Sequence, residues 1–399
     1  MATSTAAFRA AATQKFNSLR TAFESYGTGG AYFWRTGHAF DTVVDYFRNV
    51  DRTGAGAFAT SLLERYERND PSSPGYWYDD HGWWGISGLK ASAAPELFGS
   101  AVTRFSKIAD ANWKIMFDNA PYGWQRRQPP NGYPDCAPRY DGGVWNHTLD
   151  PNDNPDIYPD YSGNGLPGRQ NTVTNGLFLV LAERLALAGR LSPMVAGNEF
   201  GFLTEWFDDP SDDRRLMSNY GSHHSFVRER VSCFAPTTSD SKGKTDPYYD
   251  KDLAWAGDQG LILGGLVDRM ALVGKASQDY EKAHHRAHLL MNGAKDYLAR
   301  NPTQPGILQP WQPYPPAGPA PGNDPDDYWT GPAVYMRYLV SAFGNGDLKS
   351  YLLQNYQAFI RANAQYVVDN PSRPQSSDTV VNLTNDLAIL VAAVTILQS

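Results

Sequence analysis

Apolar residues recur at helical spacing along most of the chain, and several of the helices they predict are apolar on nearly every face. Five such helices begin at Trp83, Asn175, Gln259, Gly331 and Asn385, and segment 40–47 predicts a looser sixth. A helix that is apolar all round must be buried on every side. The helices between them, such as 278–300 and 348–369, carry a charged face and are expected at the surface.

This alternation of buried and exposed helices predicts the fold. Six buried helices alternating with exposed ones fit an all-α (α/α)6 barrel, two concentric rings of helices around one axis. We expect residues 1–399 to form this single barrel, with an irregular helical bundle as the alternative. Segments rich in Pro, Gly, Asp and Tyr at about 121–169, 207–251 and 303–327 precede three inner helices. These long loops would therefore gather at the mouth of the barrel.

Composition narrows the classes of partner. The net charge is −7 and the basic residues form no run, so we expect no nucleic-acid partner. No apolar stretch approaches the roughly 20 residues that span a bilayer, so we expect no membrane partner, and we expect a monomer. Residues 1–26 carry Arg9, Lys15 and Arg20 and predict an amphipathic helix instead of a signal peptide. We expect a secreted protein whose signal segment is absent from this sequence, with a cytoplasmic location left open.

Metal and disulfide chemistry has little support in the sequence. Cys136 and Cys233 are too few for a disulfide framework or a structural zinc site, and one bridge or two separate thiols are both compatible with them. Oxygen-bearing residues alternate from Asp150 onward as in a calcium loop, but Pro155 stands where such a loop needs Gly. We therefore predict no metal and no cofactor.

The densest candidate chemistry lies in the segment GYWYDDHGWW at 75–84. The adjacent carboxyls of Asp79 and Asp80 precede a buried helix and are bracketed by aromatic residues. Cleavage of a glycosidic bond needs two carboxyls, one ionised and one protonated, and burial beside a like charge raises at least one pKa. Aspartates at a helix start are also ordinary N-caps, so a purely structural role is the alternative.

At this point the sequence resembles a known family. YDDHGWWGISGLKA is similar to the catalytic motif of glycoside hydrolase family 76, the endo-α-1,6-mannanases. Four further segments resemble that family's motifs in the same order: CAPRYDGGVWNHT, RQNTVTNGLFLVLAERLA, WAGDQGLILGGLVD and DYWTGPAVYMRYLV. The five motifs span the chain from about residue 30 to the end. The family folds as an (α/α)6 barrel, which agrees with the helix pattern.

The resemblance implies a retaining endo-glycoside hydrolase that cleaves an α-1,6-mannosidic or related α-glycan linkage in a polysaccharide or oligosaccharide. By resemblance, Asp79 matches the nucleophile and Asp80 the acid/base, although the residue pattern alone does not decide which carboxyl attacks. Retaining enzymes hold the two carboxyls about 5–5.5 Å apart, a spacing that neighbours at a helix start can reach. The candidate substrate-binding residues are Trp77, Tyr78, Trp83, Trp84, Trp124, Trp145, Asn146, Asn175, Asp258, Gln259 and Thr330.

Three positions depart from the family pattern and put the sugar specificity in doubt. Asn146 stands where a bulky residue is usual, Asp258 replaces an Asn, and Thr330 replaces a Lys. Two alternatives to a mannanase stay open. One keeps the fold but acts on another glycan or transfers sugars, and the other is a barrel that binds or transforms a small non-carbohydrate molecule. For each Trp, core packing is the alternative to sugar stacking, and Arg337 on a buried helix must be paired with a carboxylate.

Overall fold

The computed structural model describes residues 4–72, 77–119, 143–144, 171–210, 215–219, 222–229, 253–313, 325–371 and 376–398. Within these residues the regular elements are mainly helices. In chain order the α-helices are α1 (Thr5–Ser25), α2 (Ala31–Asn49), α3 (Ala55–Arg68), α4 (Tyr78–Ser92), α5 (Pro95–Phe98), α6 (Val102–Asn119), α7 (Thr172–Leu187), α8 (Pro193–Phe207), α9 (Ala256–Val273), α10 (Gln278–Leu298), α11 (Pro325–Tyr328), α12 (Gly331–Gly344), α13 (Gly346–Asn355), α14 (Gln357–Asp369) and α15 (Thr379–Ile396).

Six of these helices form a closed inner ring. They are α2, α4, α7, α9, α12 and α15; each packs on the next, and α15 packs on α2 to complete the circle. All six correspond to the helices predicted to be buried on every side, and α15, for example, buries most of its residues from Val380 to Ile396. The (α/α)6 barrel is therefore confirmed.

The remaining long helices cover the outside of the ring. α1 packs on α15, α6 on α4, α8 on α7 and α10 on α9. The predicted exposed helix 348–369 is two helices in the structure, α13 and α14, which meet at Tyr356. The Tyr356 side chain is fully buried, and its hydroxyl lies 3.0 Å from that of Tyr335 on α12. The buried tyrosine therefore lies at the break between the two outer helices.

Charged residues inside the ring are paired across it. On α2, Asp41 and Asp45 contact Lys90 of α4 at 2.7 and 2.6 Å. Nε of Arg337 on α12 lies 3.1 Å from Oδ2 of the same Asp41, which confirms that Arg337 is buried against a carboxylate. Burial opposes the ionisation of Asp41, but the charges of Lys90 and Arg337 outweigh it and hold the pKa of Asp41 below its usual value.

Two short antiparallel hairpins lie within or beside the predicted long loops. β1 (Met217–Asn219) pairs with β2 (Ser225–Val227), and β3 (Leu253–Trp255) pairs with β4 (Trp311–Pro313). β3 leads directly into α9, so this second hairpin lies at the N-terminal end of an inner helix.

Helix α15 is long and apolar enough to cross a membrane, whereas the sequence analysis predicted no such stretch. Its 18 residues have a mean hydropathy of 1.7, and 78% of them are buried inside the barrel. The burial accounts for the composition, because an inner-ring helix contacts protein on all sides.

The small residues of the inner helices let neighbouring backbones approach closely. A Cβ added at Gly260 of α9 would lie 2.7 Å from the backbone of Val334 and 2.8 Å from that of Tyr335 on α12. Real Cβ atoms do not come that close to backbone, so a side chain here would push the two helices apart.

We expect Gly260→Ala to lower the free energy of unfolding by about 1–3 kcal/mol because it overpacks this contact. The matched control is Gly201→Ala on the outer helix α8, where no atom lies within 4 Å of the new Cβ. That change should stabilise the protein by about 0.5–1 kcal/mol, since Ala favours the helix. Chemical denaturation of both variants measures the difference. Equal effects at the two sites would contradict the close approach of α9 and α12.

Candidate active site at the mouth of the barrel

The N-terminal turns of the inner helices meet at one end of the barrel. Thr174 in the first turn of α7 approaches Asp79 in the first turn of α4, with Oγ1 and Oδ2 3.4 Å apart. On the neighbouring helix of the ring, Arg35 near the start of α2 contacts Asp378, the N-cap residue of α15, at 3.0 Å. Helix N-termini carry partial positive charge, so this end of the barrel favours acidic groups.

Asp79 and Asp80 lie in the first turn of α4, as predicted from the sequence. Oδ1 of Asp79 accepts a hydrogen bond from the backbone N–H of Asp80 at 2.9 Å, and Oδ2 of Asp80 accepts one from the N–H of Trp77 at 3.0 Å. Each carboxyl therefore has one oxygen engaged with the helix start. Oδ1 of Asp80 has no hydrogen-bond partner among the described residues, and both side chains stay partly exposed. Both aspartates therefore cap the start of α4. Each still has a second carboxyl oxygen that takes no part in these capping hydrogen bonds.

The two carboxyls differ in how strongly they hold a proton. Burial raises the pKa of Asp79 to about 7. The hydrogen bond from the N–H of Asp80 acts to lower this pKa, and the charge of Asp327 acts to raise it. Burial and then the negative charge of Asp79 raise the pKa of Asp80 well above its usual value. Because the two groups are adjacent, they titrate as a pair. Burial of both groups and the repulsion between their charges therefore disfavour a doubly ionised pair.

A third carboxyl, Asp327, lies at the mouth and was not singled out as a site residue from the sequence. Its charge raises the pKa of both Asp79 and Asp80. Nη2 of Arg35 lies 2.8 Å from Oδ1 of Asp327, while Nη1 of the same guanidinium contacts Asp378. Arg35 therefore offsets part of the negative charge beside the pair. The only sequence signal was that one family-like segment begins at Asp327.

Trp83 lies one helical turn below Asp79, on the same face of α4. Its indole is only 3% exposed. The His38 ring meets it edge-on at 5.2 Å, and the Arg337 guanidinium lies 5.8 Å from its centre. Trp83 is thus held between inner helices beneath the carboxyls, where little of its face is open.

The other aromatic candidates, three from the motif and Trp255, differ in how deeply they are buried. Trp77, at the start of α4, is 40% exposed. Tyr78 is buried, and Trp84 is fully buried, with its Nε1–H donated to the carbonyl of Phe33 at 2.8 Å. Trp255 is also buried and donates its Nε1–H to the carbonyl of Tyr328 at 2.9 Å. This burial favours structural roles for Tyr78, Trp84 and Trp255, and Trp77 is the most exposed of the four.

Asn175 and Gln259 hold loop backbone against the inner ring. The Asn175 amide accepts from the N–H of Val144 at 2.8 Å and donates to the carbonyls of Val144 and Asn171. The Gln259 amide does the same with the N–H and C=O of Val227, at 2.7 and 2.6 Å, and donates to the carbonyl of Trp255. Both hydrogens of each amide are already donated, so these residues shape the mouth by positioning its loops.

Asp258 and Thr330, the two departures from the family pattern that the structure describes, are both fully buried. Thr330 donates its hydroxyl to the carbonyl of Asp327 at 2.6 Å and so fixes the turn that carries that carboxyl. Among the described residues neither carboxyl oxygen of Asp258 has a hydrogen-bond partner. Burial, together with the charge of Glu229, raises the pKa of Asp258 well above its usual value.

Three predicted substrate-binding residues, Trp124, Trp145 and Asn146, lie outside the described residues. So do Cys136, Cys233 and the calcium-loop-like segment 150–161. These predictions remain predictions.

Comparison with known proteins gives matches in structure only. No protein-family model matches the chain, and no curated protein matches it in sequence. One match is GH76A of Salegentibacter sp. HEL1_6, an α-1,6-mannanase, which superposes with a TM-score of 0.59. That structure is of an inactive variant, in which two consecutive aspartates are asparagine, in complex with α-1,6-mannotriose. It is 14% identical, and the match covers 98% of this chain and 99% of that one.

Two other solved structures are similar to the same extent. A GH76 α-mannanase of Bacteroides thetaiotaomicron has a TM-score of 0.58 at 10% identity, covering 98% of this chain and 96% of that one. Dfg5 from Chaetomium thermophilum, in complex with glucosamine, has a TM-score of 0.62 at 15% identity, covering 98% and 90%. The chain shares its fold with GH76 mannanases. At this identity the likeness concerns the fold, and the resemblance drawn from the motifs agrees with it.

The raised pKa of Asp79 predicts how this residue affects stability. A carboxyl whose pKa is higher in the folded state than the roughly 3.9 of an unfolded chain destabilises the fold progressively as pH rises from about 4 to about 7. We expect Asp79→Asn, which keeps the Oδ1 acceptor, to melt at a higher temperature than the wild type at pH 8. The difference should shrink toward pH 4. Melting curves across this range measure it, and a lower melting temperature at every pH would mean that the carboxylate acts only as a helix cap.

Proposed function

We propose that the chain is a retaining, endo-acting glycoside hydrolase that uses Asp79 and Asp80 to cleave an α-1,6-mannosidic or closely related α-glycan linkage. The observation that carries the proposal is the carboxyl pair itself. Two adjacent acids lie at the open end of the barrel, and burial raises the pKa of both while leaving them unequal. Pairs of acids whose surroundings separate their pKa values are characteristic of glycosidic bond cleavage.

The difference in proton affinity supports an assignment of roles. Asp79 has the pKa that permits ionisation near neutrality, so it is the nucleophile, as the motif resemblance implies. Asp80 keeps its proton because its own burial and the charge of Asp79 both disfavour a second anion. It is therefore the general acid.

The reaction then proceeds in two displacements. In the first, Asp80 donates its proton to the glycosidic oxygen while the Asp79 carboxylate bonds to the anomeric carbon, and the leaving sugar departs as an alcohol. In the second, the Asp80 carboxylate takes a proton from water, whose oxygen attacks the anomeric carbon and releases Asp79. The configuration is inverted twice and so retained. Trp77 is placed to stack on a sugar ring beside the pair.

The fold neighbours and the motif support this choice of substrate class. The Salegentibacter mannanase with two consecutive aspartates replaced is described as inactive and was solved with α-1,6-mannotriose. Asp79 and Asp80 are likewise consecutive, and the chain spans nearly the whole of that enzyme. An α-1,6-linked mannan is therefore the first substrate to test.

The decisive experiment replaces each carboxyl by its amide. Asp79→Asn and Asp80→Asn should each lower turnover of α-1,6-mannan by roughly a thousandfold or more, while oligosaccharide binding and folding persist. Reducing-end release measures turnover, and mass spectrometry of the products separates hydrolysis from sugar transfer. A capping role alone predicts about 1 kcal/mol of lost stability and near-normal activity of the folded protein.

A matched control tests the consequences of losing a cap. Asn345, the N-cap of α13 on the outer ring, accepts from the N–H groups of Asp347 and Leu348. Asn345→Ala should lower the melting temperature and leave specific activity unchanged. If the two aspartate variants behave like Asn345→Ala, active but less stable, the glycosidase proposal is wrong.

A further inference from the structure

An open cavity of about 490 Å³ lies at the mouth end of the barrel, between the C-terminus of α1 and the N-termini of α2 and α15. This volume is in the range of small-ligand sites. Two tyrosines, Tyr26 and Tyr32, line one side, and Arg35, Asp378 and Thr379 line another. None of these residues was predicted from the sequence to bind a substrate.

Tyr32 is placed as a fixed aromatic platform. It is 42% exposed, which is unusual for so large a side chain. Its ring lies against Gly27, where an added Cβ would come within 2.6 Å of Tyr32 Cε2, and the Tyr26 ring meets it edge-on at 4.8 Å. The ring is thus supported on one side while a large part stays open. Such surfaces suit the apolar faces of sugars.

The polar groups of the cavity are mutually neutralised. Asp378 accepts from the Tyr26 hydroxyl at 2.6 Å and from Arg35 at 3.0 Å. Because the cation and the carboxylate that line the cavity are paired with each other, the cavity favours a neutral ligand over an anionic one. Arg35 also contacts Asp327 with its other terminal nitrogen. Since the charge of Asp327 acts on Asp79 and Asp80, Arg35 links the cavity to the surroundings of the carboxyl pair.

We propose that this cavity is a distal saccharide subsite, in which Tyr32 stacks on a neutral hexose of the glycan away from the bond that is cut. The inference rests on the proposed function and extends it. The ligand enters beside α1 and continues past Arg35 and Asp327 toward Asp79.

The test compares Tyr32→Ala with Tyr32→Phe, which keeps the ring. With α-1,6-manno-oligosaccharides of increasing length, Tyr32→Ala should raise KM for the longest substrates roughly tenfold. It should leave kcat, and KM for the shortest cleaved substrate, unchanged. Tyr32→Phe should match the wild type. An unchanged KM at every length, or an equal loss at every length, overturns the subsite.

Binding measured without catalysis separates this inference from the proposed function. Calorimetric titration of a long oligosaccharide into Asp79→Asn and into Asp79→Asn with Tyr32→Ala should show weaker binding by the second protein. A wild type that cleaves nothing would end the proposed function, yet a binding loss specific to Tyr32→Ala would still support the subsite. Equal binding by the two proteins overturns it even if the wild type is fully active.

An independent observation concerns the outer helix α10. His284 and His288, four residues apart, have their Nε2 atoms 3.2 Å from each other, a spacing that the sequence analysis overlooked. Tyr280 stacks on His284, and Tyr351 of α13 meets His288 edge-on at 4.5 Å, which restricts both rings. Two nitrogens bound to one tetrahedral Zn²⁺ at about 2.0–2.1 Å lie roughly 3.3 Å apart. The two imidazoles therefore have the separation of a chelating pair.

We infer that His284 and His288 bind a divalent transition metal such as Zn²⁺ or Cu²⁺. Within the described residues no group of three or more His, Cys, Asp or Glu is placed to hold a metal, so water would fill the remaining positions.

Zinc titration of tag-free protein tests this site. Zn²⁺ should raise the melting temperature of the wild type, with reversal by a chelator, because the metal binds the folded helix. His288→Asn should lose this response, whereas His285→Asn, at the exposed neighbour between the pair, should keep it. A response retained by His288→Asn, or absent from the wild type, overturns the assignment.

Discussion

The whole architecture depends on six helices that have no polar face to expose to solvent. Such helices can be buried on every side only if they surround one another and are covered from outside, and a closed ring inside a second layer meets both conditions. The inner helices run in the same direction, as their contacts show: Ala333 in the first turn of α12 donates to Asn385 near the start of α15. Six N-termini are thereby brought to one end, where the candidate chemistry lies.

Burial and helix-end electrostatics act in opposite directions at this mouth. Helix N-termini stabilise carboxylates, yet burial raises the pKa of Asp79, Asp80 and Asp258. Deeper in the ring, Asp41 is held ionised by Lys90 and Arg337. The difference is the presence of a partner cation. Asp41 and Asp45 beneath the mouth are paired with cations, whereas no ion pair is seen for Asp79 or Asp80 among the described residues, and the pKa of both is raised.

The sequence predicted the ring well because burial on all sides leaves a clear signal. Five inner helices are apolar on nearly every face, and only α2 gave a weaker pattern, since Arg35, His38, Asp41 and Asp45 interrupt it. These residues are nevertheless buried, because partners on other helices or in loops pair with most of them. No local pattern reveals such partners, which lie far away along the chain.

The sequence located the two candidate catalytic carboxyls, but it predicted the roles of the residues around them less well. The motif located Asp79 and Asp80, but Asn175 and Gln259 were read as sugar-binding amides, whereas their hydrogens are donated to backbone. Asp327 and Arg35 were missed as site residues. Their effect comes from three-dimensional proximity between α2, α4, α11 and the start of α15, which residue spacing does not encode.

The central claim, that Asp79 attacks the sugar while Asp80 holds the proton, is tested most directly by trapping the intermediate. An aryl α-1,6-mannobioside with a good leaving group needs no acid for the first displacement, so an Asp80→Ala variant should form the glycosyl–enzyme and lack the base to hydrolyse it. The account predicts that mass spectrometry finds the added sugar on the peptide that contains Asp79, and that azide releases it as a glycosyl azide of retained configuration. A label on another residue, or no covalent adduct with a product of inverted configuration, would contradict it.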